Sequence, residues 1–241
     1  EKWASTQGNL LASLRRGLKL PHAAHALRVL HECKLLEALF PELREIEALV
    51  IRDFYHRYTV DEHTLLTIRN LERLTTTEQP DRLRFRSILS DLRAPELLVL
   101  ALLFHDVGKW RDDDHAIESE RMAAHVLDRL GLAGERRDTV LFLIRHHLRM
   151  SLAAFRRDTE DPEVVRQFAA LVGTEERLKM LCLMTLVDVE AVTDHSPYRI
   201  CGAIAPDFKK LIGLRIGGGF HRAVRERLVA GDSNAQVLPL T

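Results

Sequence analysis

A chain of 241 residues with 46% hydrophobic and 29% charged side chains is long enough to bury a substantial core and too apolar to be a disordered segment. Its 35 lysines and arginines balance 35 aspartates and glutamates, so no surplus of positive charge is available to hold a nucleic-acid backbone, which excludes nucleic acid as a first partner. The longest apolar run, Leu97 to Phe104, falls well short of the roughly 20 residues that span a membrane. No secretory signal is visible, and three scattered cysteines (Cys33, Cys182, Cys201) fit a reducing cytoplasm without a membrane partner. Glu1 stands where a methionine would begin a gene product, as expected of a piece of something longer.

In chain order nearly every segment reads as helix, and period-two strand patterns are lacking over any useful length. Leu27, Leu30, Leu35, Leu36, Leu39 and Phe40 recur at helical spacing until Pro41 breaks the pattern. Thr59-Val60-Asp61-Glu62 reads as a capping box, which puts His63 in the first turn of a helix running through Leu66 and Leu74. Pro95-Glu96 opens another helix that carries Leu97 to Phe104 up to His105-Asp106, with Gly108 as its stop. A polar loop follows at Arg111 to Asp114. Helices are predicted at about 116–130, 136–148, 162–172 and 175–192, the third capped by Asp161 with Pro162 at its first position, all punctuated by Gly131, Gly134 and Gly173. Asp194 to Pro206 has turn composition, and beyond Gly217-Gly218-Gly219 the pattern weakens to a frayed end. The expected organisation is all-α: a helical segment over 1–45 packing on a bundle over 46–215, then a tail over 216–241.

Twelve histidines is a high count for this length, and several interrupt apolar runs. A His-Asp dipeptide alone means little. Asp188, however, lies inside the apolar stretch Leu181 to Val189, where it is either a helix-end carboxylate facing water or a metal ligand donated into a bundle core. With His63, His105 and Asp106 it offers two imidazoles and two carboxylates from three helices, a donor set suited to a borderline divalent ion rather than Ca2+. His115, His146 and His147 supply three further imidazoles, enough for a second ion sharing Asp106. Two ions about 3.5–4 Å apart clamp a phosphoryl group and activate water. No serine or cysteine stands in a nucleophile setting, so direct hydrolysis without a covalent intermediate is expected.

The order His63, His105-Asp106, Asp188 resembles the H…HD…D signature of the HD phosphohydrolase superfamily. The local runs Tyr58 to His63, Leu103 to Lys109, Asp114-His115, Arg145 to Ser151, Arg156-Arg157-Asp158 and Asp161 to Val164 resemble the HD domain of bacterial PII uridylyltransferase/uridylyl-removing enzymes, over roughly residues 20 to 192. The resemblance implies an HD-type helical bundle with a metal site in its core, and a phosphodiester hydrolysis that removes uridylyl groups from the PII nitrogen-signalling protein. It implies metal ligation by His63, His105, Asp106, His115, His146, His147 and Asp188, with two divalent ions (Mn2+, Fe2+ or Mg2+, Zn2+ also compatible). The nucleotidyltransferase segment and the paired regulatory domains of that family are not among these residues, and Asp194 to Arg199 replaces a Trp-Asn-rich stretch.

Asp106 and Lys109 are the expected catalytic residues. Lys109 holds a substrate phosphate if the helix continues past Gly108; otherwise it is a solvated helix-end lysine. Arg145, Arg149, Arg156 and Arg157 are candidate phosphate ligands, with a solvated charge run as the alternative, and His56 is a candidate substrate contact. The competing readings are a phosphohydrolase acting on a free or cyclic nucleotide, and a non-catalytic metal or nucleotide sensor.

Overall fold

Leu97 to Phe104 have no polar side chain to turn towards water, and every one of them is buried. They form a wholly buried helix within the hydrophobic core. The computed structural model describes residues 13, 16–19, 21–51, 58–111, 114–156, 158–193 and 219–230. Among them the chain forms α1 (Ala23–Glu32), α2 (Leu35–Leu39), a 3-10 helix (Pro41–Ile46), α3 (Val60–Thr75), α4 (Leu83–Ser90), α5 (Pro95–Phe104), α6 (His115–Arg129), α7 (Gly134–His146), α8 (Arg149–Arg156), α9 (Pro162–Val172), α10 (Glu175–Thr193) and α11 (Gly219–Val229). No strand occurs among the described residues, and the fold is all-α.

α3 packs against α10, α5 and α1; α7 covers α5 and carries α6; α10 also touches α4, α5 and α7. One hydrophobic cluster runs through all of them. Phe104, at the end of α5, meets Phe40 edge-on at 5.3 Å between ring centres. The N-terminal helices are tied to α3 by the Ala24 amide, which donates to Glu72 at 2.8 Å, and by Arg28 to Glu62 at 2.8 Å.

Several local expectations are corrected. Thr59 does occupy the N-cap of α3, but its side chain makes no capping bond, and Glu62, the other half of the box, is committed to Arg28. Asp161, by contrast, accepts from the Glu163 amide at 2.8 Å and caps α9, whose end falls on Gly173 at φ 71°. Gly108 is not a helix stop: α5 ends at Phe104, and residues 105–110 continue as turns. A Cβ on Gly108 would lie 2.6 Å from both the His115 carbonyl oxygen and the Ser119 amide nitrogen. Glycine is there so that two backbones can touch. The short helices α4 and α8 were not expected. The stretch set apart as a tail includes helix α11, which seats Phe220 against Phe168 at 5.1 Å and buries Val224. The turn expected over 194–206 and the frayed end over 232–241 lie outside the described residues.

Candidate metal centre

Four elements deliver polar side chains to one buried point. His63 comes from the first turn of α3, His105 and Asp106 from the end of α5, His147 from the end of α7, and Asp188 from α10. His115 joins them from the first residue of α6, whose N-cap Asp114 accepts from the Ala116 amide at 3.1 Å. His63, His105, Asp106 and His147 are each at most 2% exposed.

The donors fall into two trios. One ligand atom each from His63, His105 and Asp188 lie within 4.8 Å of one another, and so do those of Asp106, His115 and His147. His63 Nε2 is 2.9 Å from Asp188 Oδ1, and His105 Nε2 is 3.6 Å from the same oxygen. Asp106 lies between the trios. Its Oδ2 is 3.2 Å from His105 Nε2 and 3.6 Å from His63 Nε2; its Oδ1 is 3.6 Å from His115 Nε2 and 3.7 Å from His147 Nε2. A carboxylate in that position can serve two ions at once.

The imidazoles are aimed by the backbone. His105 Nδ1 donates to the Leu102 carbonyl and His147 Nδ1 to the Ile144 carbonyl, each at 2.8 Å, so both rings turn Nε2 into the centre, as metal-binding histidines do. One atom tests whether a cation fits. Asp106 Oδ1 is buried and has no hydrogen-bond partner, an expensive state for a carboxylate oxygen that a cation beside it relieves. The donor chemistry fits a divalent metal.

Electrostatics agree. Burial alone would lower the His105 pKa, but the Asp106 carboxylate, with Asp188, outweighs it and raises it to about 10. Burial works against charge on Asp106 and Asp188 too, yet the imidazoles and Lys109 around Asp106, and His105 and His63 around Asp188, hold both carboxyls well below the usual range. The centre therefore holds two carboxylates whose negative charge draws positive charge to it, here a proton on His105 and the Lys109 ammonium. In the other trio burial pushes His115 down and, with His105 nearby, takes His147 to about 4; both stay neutral, with a lone pair to offer.

Lys109 reaches the centre although the helix does not continue past Gly108. Its turn is closed by the Lys109 amide donating to the Asp106 carbonyl at 3.0 Å, and its Nζ lies 2.6 Å from Asp106 Oδ2. His146 is in neither trio. Its ring meets Phe142 at a tilt, 4.8 Å between centres, and burial together with Arg149, Arg145 and Arg177 lowers its pKa to about 4. Arg145 pairs with Glu120 at 3.0 Å. Arg177, not singled out in the sequence, lies over the Phe142 ring at 4.9 Å. Arg156 ends α8, and its side chain, like Arg157 and His56, lies outside the described residues. His31, which carries no motif, is held between Glu37 and Asp61.

Residues 60–189 match the HD domain family, and residues 155–233 match a family described as a protein of unknown function. The chain is 42% identical over 176 residues to the bifunctional uridylyltransferase/uridylyl-removing enzyme of Ruegeria pomeroyi, an alignment covering 73% of this chain and 19% of that protein. It is 40% identical over 167 residues to the protein of that name from Azospirillum brasilense (69% and 18% covered) and 32% identical over 229 residues to that of Burkholderia orbicola (94% and 27% covered). The chain thus spans about a fifth to a quarter of the length of the curated relatives it matches.

Proposed function

The chain belongs to the HD domain family of metal-dependent phosphohydrolases, and from that premise we propose that it hydrolyses a phosphodiester, removing uridylyl groups from a PII-type regulatory protein. The observation that carries the reading is the split environment of Asp106, with one oxygen towards His63 and His105 and the other towards His115 and His147. His63, His105, Asp106 and Asp188 would hold one ion; His115 and His147, with Asp106 shared, would hold a second. When bound, such ions supply Lewis acidity and bring the pKa of water towards neutrality. The protein's own residues do the positioning. The Leu102 and Ile144 carbonyls fix the rings, the apolar end of α5 excludes bulk water, and Lys109 sets a positive charge beside Asp106, where a phosphate oxygen arrives. Relatives named uridylyl-removing enzymes support a uridylylated substrate.

The test is turnover of a chromogenic phosphodiester and of uridylylated PII, with Mn2+, Mg2+, Fe2+ or Zn2+ and with chelator. Both substrates should be cleaved in a chelator-sensitive way, the second releasing UMP. Asp106→Ala should abolish cleavage and metal binding together, whereas Lys109→Ala should slow cleavage by about 10²-fold with metal still bound. Cleavage of free nucleotides but not of uridylylated PII would replace the substrate, and no cleavage under any metal would remove the enzymatic reading.

A further inference from the structure

Beside Lys109 stands a side chain that the chemistry above does not use. Trp110 is 39% exposed, leaving much of its flat ring open to solvent. It is not loose. The Arg111 guanidinium lies over its ring at 4.6 Å, and Arg111 Nη1 is 3.6 Å from Glu118 Oε2. Glu118 is in turn gripped by Arg121, through Nη2 at 2.6 Å and Nε at 2.9 Å. The turn that bears Trp110 is pinned to α6 by the Gly108 amide, which donates to Ser119 Oγ at 2.8 Å, and by the backbone contact that only glycine permits. Asp106, Lys109 and Trp110 therefore sit on one rigid five-residue turn, with Ile117 and Leu148, the other exposed apolar side chains next to the centre in sequence, following His115 and His147.

A flat aromatic surface held still by an anchored arginine, one residue from a phosphate-binding lysine, is the arrangement that accepts a base while its phosphate is held next door. We infer that Trp110, backed by Arg111, is the stacking platform for the nucleobase of a nucleotidyl substrate, which makes it a determinant of specificity for nucleotidyl over simple alkyl phosphodiesters. The inference rests on the phosphohydrolase reading and names the part of the substrate that the metal centre does not touch.

The chain has two tryptophans, so Trp3→Phe leaves Trp110 as the sole indole. In that Mg2+-loaded protein, UMP should quench the indole fluorescence saturably, and ribose 5-phosphate should not. Trp110→Ala should weaken UMP binding, measured by equilibrium dialysis, about tenfold. It should leave ribose 5-phosphate binding unchanged, and Trp110→Phe should restore most of the UMP affinity. Equal loss for both ligands, an unchanged UMP affinity, or failure of UMP to bind the parent protein would each overturn the stacking role. If the parent cleaves methyl p-nitrophenyl phosphate in any of those cases, the phosphohydrolase reading stands without it; if it cleaves no diester, that reading falls separately.

Discussion

Gly108 and Asp106 are two residues apart, and the first decides whether the second is in place. At Gly108 the two nearest atoms a Cβ would strike are backbone atoms of α6, which cannot swing aside as a side chain can. Gly108→Ala should therefore push the turn off α6 and draw Asp106 Oδ1 away from His115 and His147. The expected cost is about 1–3 kcal/mol of stability in urea melts. Mn2+ titration calorimetry should show the site formed with His115 and His147 weakened more than the other. A variant as stable as the parent, with metal binding intact, would mean that α6 yields and the contact has no positioning role. Residue chemistry of this kind was only partly legible in the sequence. His63, His105, Asp106 and Asp188 stood out because each breaks an apolar or amphipathic pattern. The fate of His146 did not, since neighbouring helix residues point about 100° apart and nothing local says which of His146 and His147 turns inward.

Among the elements, the long helices were readable because their apolar spacing repeats over several turns, while α4 and α8 bury too few side chains to leave such a signal. Caps were readable only as residue types. Asp161 and Thr59 both stand at helix starts, but only the Asp161 side chain accepts a capping bond; at Thr59 the long-range pair between Arg28 and Glu62 removes the other half of the box. Asp161→Ala should cost about 1 kcal/mol and Thr59→Ala only a few tenths. Chemical denaturation of the two variants side by side checks this, and equal losses would show that Thr59 caps α3 after all. The close approach at Gly108 was illegible for the same reason: a glycine required by another element's backbone looks, in sequence, like a glycine that ends a helix.

For the whole molecule, the N-terminal elements are fastened to the bundle partly by charge. Arg129, in the last turn of α6, grips Glu42 of the 3-10 helix through two bonds of 2.6 and 2.8 Å. Burial pushes the Glu42 pKa up, but the Arg129 guanidinium outweighs it and the net displacement is downward. A carboxyl whose pKa is lower folded than unfolded stabilises the protein above its unfolded value of 4.5, and that contribution is lost as pH falls through the folded value. Because the Arg129 side chain is 42% exposed, the pair is worth about 0.5–1 kcal/mol. Glu42→Gln should lower stability by that amount at pH 7 and by progressively less below pH 4.5. A difference that stays constant from pH 7 to pH 3 would show that the carboxylate charge contributes nothing.

His63 and Asp188 touch at 2.9 Å across 125 positions of the chain. Closing so long a loop has an entropic cost that no local helix repays, so this pairing is expected to wait until α3 and α10 have docked, late in folding. An ion held by both residues then binds the finished protein and not its partly folded precursors. By mass action it adds stability that grows with the logarithm of its concentration. An ion bound there as proposed would make its own supply a control on how much of the chain survives as native protein, so that starvation for it would thin the population as well as silence it.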